Sequence, residues 1–311
     1  MLVNAETAQR VLDAAAGLGY RPNAIARGLK TSRSYTIGVV IPDLRNPLFP
    51  PIARGIEERL EPAGYTSLLA NTDNDADRER LSFEALRARQ VDGYIAASAR
   101  REHPLFHELA ANGRPLVLVN RTTDDDDLPS VVPDDRDGMR QAVAHVAALG
   151  HRRIAHLAGP VELSTGVHRQ EGFVQGLEAS GVPLDEQLFV AASRFTEAEG
   201  ARLCRELLSR GRDFTAVLAG NDLLALGCID ALREAGLDCP RDVSVVGFND
   251  MDWSERFSPP LTTVRVPHHR LGVGAADLLL ERLAQPLAPT RHVVMPVELV
   301  VRASTSQAAT G

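Results

Sequence analysis

The sequence predicts an α/β protein built from two doubly wound, parallel-sheet lobes, with a short helical segment in front of them. Short apolar runs alternate along the chain with segments of helical periodicity, and this alternation is typical of a parallel β-sheet covered by helices. The alternation occurs twice, and the second copy begins near residue 137. Two similar halves joined by extended crossings describe a hinged clamp, whose ligand would lie between the carboxyl ends of the two sheets.

The N-terminal segment predicts two short helices. Residues 4–16 carry an apolar stripe at helical spacing that ends at two glycines, and Asn4 is a suitable N-cap. A lone helix of this length is marginal in water, so it needs packing partners. A second short helix is predicted at 24–30, where Asn23 provides the cap after a proline.

The first lobe follows as strands and helices in turn. The run at 37–42 is continuously apolar, as expected for a strand that is covered on both faces. The remaining strands are predicted at 66–71, 92–98 and 115–120, and the helices at 51–63, 76–89 and 104–112.

The second lobe repeats this pattern. Its helices are predicted at 137–149, 168–180, 196–210 and 221–235, and its strands at 153–159, 188–193, 215–220, 243–248 and 261–267. A helix at 268–284 and a single last strand at 292–302 follow. The small, polar tail at 303–311 is expected to be disordered.

Composition is that of an ordinary globular protein. The chain has 311 residues, enough for two packed domains, and is 44% apolar and 24% charged. No apolar run is long enough to cross a membrane, and the N-terminus lacks the continuous apolar core of a secretory signal. We therefore predict a cytoplasmic protein with no membrane partner. The three cysteines lack metal-site spacing and are predicted to be reduced thiols.

The charge distribution separates a basic N-terminal segment from an acidic body. The formal net charge of the chain is −7. Residues 1–35 contain five basic and two acidic side chains, a net charge of +3, so the remaining chain carries −10. A small basic head on an acidic body keeps the surface that attracts phosphates local.

Several motifs together resemble those of the LacI/GalR family of bacterial transcriptional regulators, and they cover nearly the whole chain in the family order. The motifs are ETAQRVLDAAAGLGYRPNAIARGLKT, IGVVIPDLRNPLFPPIARGIE, VDGYIAAS, PLVLVNR, LGHRRIAHLAGP, RQEGFVQGL, AVLAGNDLLALG, DVSVVGFNDMD and PPLTTVRVP. The resemblance implies a periplasmic-binding-protein-like clamp. It also implies a homodimer in which the helices at 51–63 and 76–89 pair across the subunits.

The resemblance divides the chain into two regions. Residues 1–35 correspond to a partial DNA-binding head, of which only the third helix is present, and a hinge helix. Residues 36–311 correspond to the domain for effector binding and dimerisation. The expected boundaries place 36–134 and 267–288 in lobe 1, and 135–262 and 290–303 in lobe 2.

The segment NAIARGLK resembles the family's hinge helix, two of which enter the DNA minor groove together in a dimer. Leu29 matches the leucine that is inserted between base steps, and wedges of this kind kink a duplex. Asn23, Arg27 and Lys30 are placed for contacts to phosphates or groove edges. The alternative is a linker helix in which Leu29 packs on its neighbour.

The head departs from the family pattern. Residues 4–17 resemble only the third helix of a helix-turn-helix domain, and the recognition helix that reads the major groove is not in this sequence. Either the start codon is misassigned or the head has been lost, and the remaining helix and hinge favour the first explanation. The chain as written is not expected to bind an operator specifically.

The resemblance also implies an effector site, formed where residues at the ends of parallel strands converge on one crevice. Arg169 matches the family's ligand arginine, whose planar fork grips two hydroxyls or a carboxylate. The other implied effector-binding residues are Asn46, Phe49, Asn120, Arg121, Thr165, Phe195, Asn221, Asp222 and Asn249. The alternatives are helix capping by residues 221 and 222, core packing by residue 49 and a surface salt bridge at residue 121.

These residue types suit a polyol effector. Aromatic rings pack the apolar faces of sugars, while amides and arginines bind their hydroxyls. Asn120 and Asn249 are neutral at positions where the family also uses Asp, and Arg121 and Arg169 are nearby. An acidic sugar is therefore an alternative.

Other patterns carry no separate function. The acidic run at 124–127 is interpreted as a solvated loop, and His268 and His269 do not share a helix face, so neither predicts a metal site. Phosphate-loop, nucleophile-elbow and zinc-protease motifs do not occur in the sequence, so an enzyme, a metal and a cofactor are not predicted. The rival function is a headless cytoplasmic sugar-binding sensor without specific DNA binding.

Overall fold

The computed structural model describes residues 5–17, 33–125 and 127–308. Helix α1, Ala5–Gly17, agrees with the helix predicted at 4–16. The helix predicted at 24–30 lies outside the described residues, and so do the hinge residues expected to contact DNA, which are Asn23, Arg27, Leu29 and Lys30.

The first lobe is a six-stranded parallel sheet with helices on its faces. Its strands are β1 Thr36–Ile41, β2 Thr66–Asn71, β3 Gly93–Ala96, β4 Leu116–Val119, β5 Ser130–Pro133 and β11 His292–Met295. Its helices are α2 Phe49–Leu60, α3 Ala76–Ala88, α4 Pro104–Ala111 and α9 His268–Ala284. The strand order is β11-β5-β4-β3-β1-β2, which confirms the predicted doubly wound arrangement.

The second lobe repeats this architecture with a second six-stranded sheet. Its strands are β6 Ile154–Ala158, β7 Phe189–Ala191, β8 Ala216–Ala219, β9 Ser244–Asn249, β10 Thr262–Arg265 and β12 Glu298–Val300. Its helices are α5 Asp135–Ala148, α6 Ser164–Ala179, α7 Glu197–Arg210 and α8 Asp222–Glu234. The order is β12-β10-β9-β8-β6-β7, with β12 antiparallel to β10. In the part of the chain that the structure describes, every helix is too short or too polar to cross a bilayer.

Helix α9 belongs to the first lobe because two glycines let it pack directly on α2. A Cβ added to Gly55 would lie 2.1 Å from the carbonyl oxygen of His269, and one added to Gly272 would lie 2.1 Å from that of Ile52. Only residues without a side chain permit such a close approach of two helix backbones. The start of α9, directly after strand β10 of the second sheet, is thereby anchored to the opposite lobe.

The chain crosses between the lobes after the carboxyl ends of β5, β10 and β11. Two of these crossings are joined, because the Asp134 N–H donates to the Met295 carbonyl at 2.9 Å. The third is tied to the end of β9, where the Val266 N–H donates to the Asn249 carbonyl at 3.3 Å. The carboxyl ends of both sheets therefore border one cleft, as the topology predicts.

The end of the chain departs from the prediction in two ways. The strand predicted at 292–302 is two strands, and β11 pairs with β5 of the first sheet although 290–303 was expected in lobe 2. The tail expected to be disordered is ordered through residue 308: the Ser304 hydroxyl is buried and donates to the Val245 carbonyl at 2.6 Å. Strand β5 is absent from the prediction because it is short and follows the acidic loop.

His156, on strand β6 of the second lobe, makes the stability of the fold sensitive to acid. Its ring is fully buried, stacks on Phe173 at 4.5 Å and hydrogen-bonds the Leu218 carbonyl through Nδ1 at 2.8 Å. Burial lowers the pKa of His156 to about 4. A histidine in the unfolded chain binds a proton below pH ~6.5, so between that pH and about 4 the unfolded state gains stability that the folded state does not.

We predict that the free energy of unfolding falls as the pH is lowered through this window, with His156 contributing about 1.4 kcal/mol per pH unit. Denaturant titrations at pH 7 and pH 5 measure the effect, and His156→Phe should make the fall shallower. Asp222 opposes this trend because burial raises its pKa to about 6. Its effect is the same in the wild type and in His156→Phe, so it cancels when the two proteins are compared. Equal falls in the two proteins would contradict the assignment to His156.

Candidate functional site

A cavity of about 520 Å³ lies between the lobes, and this volume falls in the range of small-molecule sites. It is lined from the first lobe by Asp43, Arg45, Asn46, Phe49, Asp73, Asn74, Arg100 and Arg121. It is lined from the second lobe by Pro160, Glu162, Leu163, Ser193, Arg194, Phe195, Thr196, Glu197 and Leu223. Four of the predicted effector-binding residues, Asn46, Phe49, Arg121 and Phe195, therefore face one cavity.

Each lobe contributes one aromatic ring to the cavity wall. Phe49 is the first residue of α2 and is buried, which places it in the core as well as at the cavity. Phe195 follows β7, and its ring rests on Gly159, where an added Cβ would come within 2.5 Å of the ring. The glycine after β6 is thus what allows Phe195 to lie against the end of the sheet.

Arg169 is a buried, highly connected polar centre behind the cavity, although it is not one of the residues that line it. It lies on α6 and is buried, and its Nε donates to Asp135 at 2.8 Å. Its Nη1 donates to the Gly220 carbonyl at 2.7 Å, and its Nη2 approaches Asn249 Oδ1 at 3.4 Å. The guanidinium lies 3.9 Å from the ring centre of Phe248 and 6.0 Å from that of Phe195. Arg169 thereby joins the ends of β8 and β9 to the first crossing between the lobes.

The charge of Arg169 is balanced inside the protein. Its ionic partner Asp135 is equally buried, and burial raises the pKa of that carboxyl, an effect that the nearby guanidinium opposes. A buried ion pair offsets the cost of its desolvation only if its remaining donors and acceptors also form hydrogen bonds. The carbonyl of Gly220 provides one such partner.

Arg121 has a different environment. Its side chain is buried at the cavity wall, 5.8 Å from the Phe49 ring, and Nη1 reaches Asn74 Oδ1 at 3.4 Å. Among the described residues, Arg121 has no carboxylate within ion-pair distance and its Nε has no hydrogen-bond partner. Burial, and then the charge of Arg169, lowers its pKa to about 10, so it stays protonated at neutral pH. The alternative of a surface salt bridge at Arg121 is wrong.

Each lobe presents an asparagine with left-handed backbone at a strand end. Asn120 follows β4 with φ of 67°, and Asn249 ends β9 with φ of 120°. Such backbone is uncommon for residues with side chains and is found preferentially at functional positions. Both side chains are buried beside the cleft although neither lines the cavity itself.

Thr165 lies one turn before Arg169 on the same face of α6. The preceding residue, Ser164, accepts a hydrogen bond through its Oγ from the Thr122 N–H at 2.9 Å. This bond joins the segment after β4 in the first lobe to the start of α6 in the second. The start of α6, where Thr165 lies, is therefore tied to the segment that follows Asn120 and Arg121 in the chain.

Asn221 and Asp222 have structural partners. Asn221 Oδ1 caps α8 by accepting from the Leu224 N–H at 2.9 Å. Asp222 is fully buried and accepts from the Met251 N–H at 2.8 Å and from the hydroxyls of Ser254 and Thr263. Because the side-chain oxygens of both residues already accept hydrogen bonds within the second lobe, the structure favours the capping alternative, and neither residue belongs to the proposed site.

Several cavity residues were missed from the sequence. Asn74 and Arg100 follow β2 and β3, so the rule that strand ends line the cleft would have found them. Arg194 precedes Phe195 and was passed over in favour of the aromatic ring. Arg45 could be recognised as a cavity residue only from the structure, because its exposed ion pair with Asp43 cannot be inferred from their spacing.

Comparisons of the sequence with known proteins agree with this architecture. Residues 143–305 match the model of a periplasmic binding protein-like domain. The chain is 38% identical to the HTH-type transcriptional regulator MalR of Streptomyces coelicolor, over 98% of this chain and 90% of that protein. It is 32% identical to the HTH-type transcriptional repressor CytR of Escherichia coli, over 97% of this chain and 89% of that protein.

Solved structures give the same result. The cellobiose complex of the regulator CelR superposes with a TM-score of 0.82 at 32% identity, covering 97% of this chain and 91% of that one. A LacI family regulator of Enterococcus faecium with bound ribose gives 0.77 at 33% identity, covering 88% and 100%. The lac repressor dimer bound to operator and an anti-inducer gives 0.83 at 30% identity, covering 98% and 92%.

The structural role of Asp222 is testable by substitution. Asp222→Ala removes the acceptor of one backbone N–H and two hydroxyls, and we predict that the free energy of unfolding falls by about 3 kcal/mol. The exposed neighbour Asp252 provides the control, and Asp252→Ala should change it by less than ~0.5 kcal/mol. Denaturant titration measures both. A fold as stable as wild type after Asp222→Ala would contradict this structural role.

Proposed function

Because the chain belongs to the LacI family of transcriptional regulators, we propose that a sugar binds between its two lobes and switches its affinity for operator DNA. The chain is a regulator that responds to a small-molecule effector, and it is not an enzyme. The observation that carries the proposal is Arg169. This buried guanidinium lies at the end of the second sheet, 6.0 Å from the ring of Phe195, which lines the cavity, although Arg169 itself is not one of the lining residues.

The chemistry of the cleft supports a sugar. Phe49 and Phe195 offer flat apolar surfaces, and Arg121 and Asn46 offer polar groups at the same cavity. Carbohydrates present both kinds of surface, an apolar ring face and hydroxyls around its edge. Regulators with this fold have been solved with cellobiose and with ribose, which supports the same ligand class.

The proposed site comprises Arg169, Asn249, Asn120, Arg121, Thr165, Asn46, Phe49 and Phe195. A ligand that touches Arg121 of the first lobe and Phe195 of the second favours the closed arrangement of the lobes over the open one. Because the crossings at 134, 266–267 and 296–297 all border the cleft, closure turns one lobe relative to the other. A ligand with different affinity for the two arrangements shifts their populations.

DNA binding is proposed for the N-terminal segment. Leu29 would enter between base steps in the minor groove, and Asn23, Arg27 and Lys30 would contact phosphates or groove edges. Two such segments, one from each subunit, would be brought together or moved apart by rotation of the first lobes. The relative solved with operator DNA is a dimer, which supports this arrangement. Operator DNA is the second partner, and a cytoplasmic location follows from it.

Dimerisation is proposed through the first lobe. Leu69 on β2 and Leu81 on α3 are about half exposed, and β2 is an edge strand of its sheet. Together with α2, these elements form the surface that we expect to meet the second subunit. Burying exposed leucines against an identical surface is the usual basis of a two-fold dimer.

The rival proposal is a sugar-binding sensor without specific DNA binding. Both proposals share the effector site and differ only in the role of residues 1–35. An effector-dependent change in the affinity for duplex DNA favours the regulator. If the full-length protein binds the effector and its affinity for duplex DNA does not change, the sensor is favoured.

Loss of Arg169 should abolish the response to the effector. We predict that one of cellobiose, maltose, glucose, galactose or ribose raises the melting temperature of the wild type, and that Arg169→Ala removes this increase. The control is Arg136→Ala, since Arg136 is exposed and pairs with Glu171 at 2.6 Å. Differential scanning fluorimetry measures each protein with and without sugar. An increase of the same size in Arg169→Ala would exclude Arg169 from the site.

A charge in the proposed dimer surface should separate the subunits. Leu81→Glu places a carboxylate where the second subunit packs, and we predict a monomer at concentrations where the wild type is a dimer. The control is Leu184→Glu, an equally exposed leucine of the second lobe. Sedimentation velocity measures the mass. If Leu81→Glu stays a dimer while the wild type is one, the interface lies elsewhere.

A further inference from the structure

Two arginines of the first-lobe cavity wall converge on the same asparagine. Arg100 follows β3, and its Nη2 donates to the Asn74 carbonyl at 2.7 Å. Arg121 follows β4, and its Nη1 donates to Asn74 Oδ1 at 3.4 Å. All three residues line the cavity between the lobes. Two positive charges are therefore held at one place on this wall.

Asn74 holds the two guanidinium groups without neutralising them. Its backbone is left-handed, with φ of 58°, a conformation that asparagine tolerates better than most residues. Its N–H donates to the carbonyl of Pro42, which follows β1, at 2.9 Å, and this bond fixes it at the end of the sheet. Because an amide carries no net charge, the repulsion between the two arginines remains.

The aspartates of the same wall do not balance this charge either. They already have arginine partners, which are Arg45 for Asp43 and Arg78 for Asp73. Within the described ranges, Arg100 and Arg121 form no ion pair, and their side-chain hydrogen bonds go to Asn74. The two guanidinium groups therefore face the cavity with their charge uncompensated.

A buried carboxylate on α3 is also engaged elsewhere. Glu79 accepts from the Ser98 hydroxyl through Oε1, and its Oε2 is hydrogen-bonded to His103 Nε2 at 3.0 Å. Both oxygens are thus occupied inside the first lobe. Glu79 does not come within ion-pair distance of Arg121, so the cavity wall keeps its positive charge.

The two walls of the cavity differ in charge. Three arginines and two aspartates line it from the first lobe, a net charge of +1. On the second-lobe wall, Arg194 is accompanied by Glu162 and Glu197, a net charge of −1. A cleft attracts ions of the sign opposite to its lining. An anionic group in this cavity is therefore favoured at the first-lobe wall.

Arg121 has the stronger need for an anion. It is buried, and its Nε has no hydrogen-bond partner among the described residues. A buried charge is costly unless it is paired and hydrogen-bonded. The planar fork of a guanidinium matches the oxygens of a carboxylate or a phosphate, which supply both the charge and the acceptors.

We propose that Arg100 and Arg121 bind an anionic group, a phosphate or a carboxylate, that the effector carries. This inference rests on the proposed function and adds to it the charge class of the ligand. The Arg121 guanidinium lies 5.8 Å from the centre of the Phe49 ring, so the apolar face of a sugar and its anionic group meet neighbouring side chains. The acidic sugar, an alternative from the sequence, is thereby favoured over a neutral one.

The test compares neutral sugars with their anionic counterparts. Glucose, galactose and ribose are titrated by calorimetry beside glucose 6-phosphate, galactose 6-phosphate, ribose 5-phosphate, glucuronate and galacturonate, each at low and at high salt. The proteins are wild type, Arg100→Gln, Arg121→Gln and the control Arg89→Gln. Glutamine keeps a hydrogen-bond donor and removes the charge. Melting curves without ligand establish that each variant is folded.

Arg89 is the matched control because it is an exposed arginine of the first lobe that also donates to a backbone carbonyl. Its Nη1 bonds the Ala85 carbonyl at 3.3 Å, and it does not line the cavity. Loss of one positive charge from the lobe is therefore the same in this variant as in Arg100→Gln.

We expect at least one anionic sugar to bind the wild type about tenfold more tightly than its neutral counterpart, because hydrogen bonds between charged groups are the stronger ones. Arg100→Gln and Arg121→Gln should each lose most of this preference, while Arg89→Gln keeps it. The affinity of Arg100→Gln for the neutral sugar should stay within about twofold of wild type. High salt should reduce the preference in the wild type, since ions screen charges at a partly open site.

Other results separate the two proposals. If every neutral sugar binds as tightly as its anionic counterparts, the charge class is wrong although the sugar site stands. If an anionic sugar is preferred and Arg100→Gln or Arg121→Gln keeps that preference in full, the two arginines do not form the anion site. If none of these compounds binds the wild type, both the proposed function and this inference are wrong.

Discussion

The buried guanidinium of Arg169 is the interaction on which the site depends. An unpaired cation at this depth would cost several kcal/mol, so its position fixes those of its partners. Asp135 at the first crossing, the Gly220 carbonyl after β8 and Asn249 at the end of β9 all face it. Because the Asn249 carbonyl also accepts from the Val266 N–H at the crossing after β10, Arg169 couples the proposed effector site to two of the segments that join the lobes.

The fold supplies what this arrangement requires. Parallel strands bring the ends of both sheets to one edge, and Gly159 lets Phe195 lie flat against that edge. Gly55 and Gly272 allow α9 to pack closely on α2 of the first lobe, while strand β10, which precedes α9, belongs to the second lobe. In the proposed mechanism, a ligand in the cleft lies beside the segments that join the lobes, and this is how it would favour one arrangement of the lobes over another.

Much of the fold could be predicted from the sequence because parallel strands buried on both faces are continuously apolar. The run at 37–42 shows this directly, because it forms strand β1 and is almost wholly buried. The strand β5 could not be predicted because it has only four residues and follows the acidic loop. The split of the last strand could not be predicted because its two halves join different sheets. The family motifs located Arg169, but they did not distinguish the capping role of Asn221 from ligand binding.

The most direct measurement is a crystal structure of the full chain grown with the sugar that raises its melting temperature most. The sugar should lie between the rings of Phe49 and Phe195 with hydroxyls within hydrogen-bond distance of Arg169, and the two lobes should be closer than without ligand. A sugar bound elsewhere on the molecule, or one that fills the cleft without approaching Arg169, would contradict the role of this buried guanidinium.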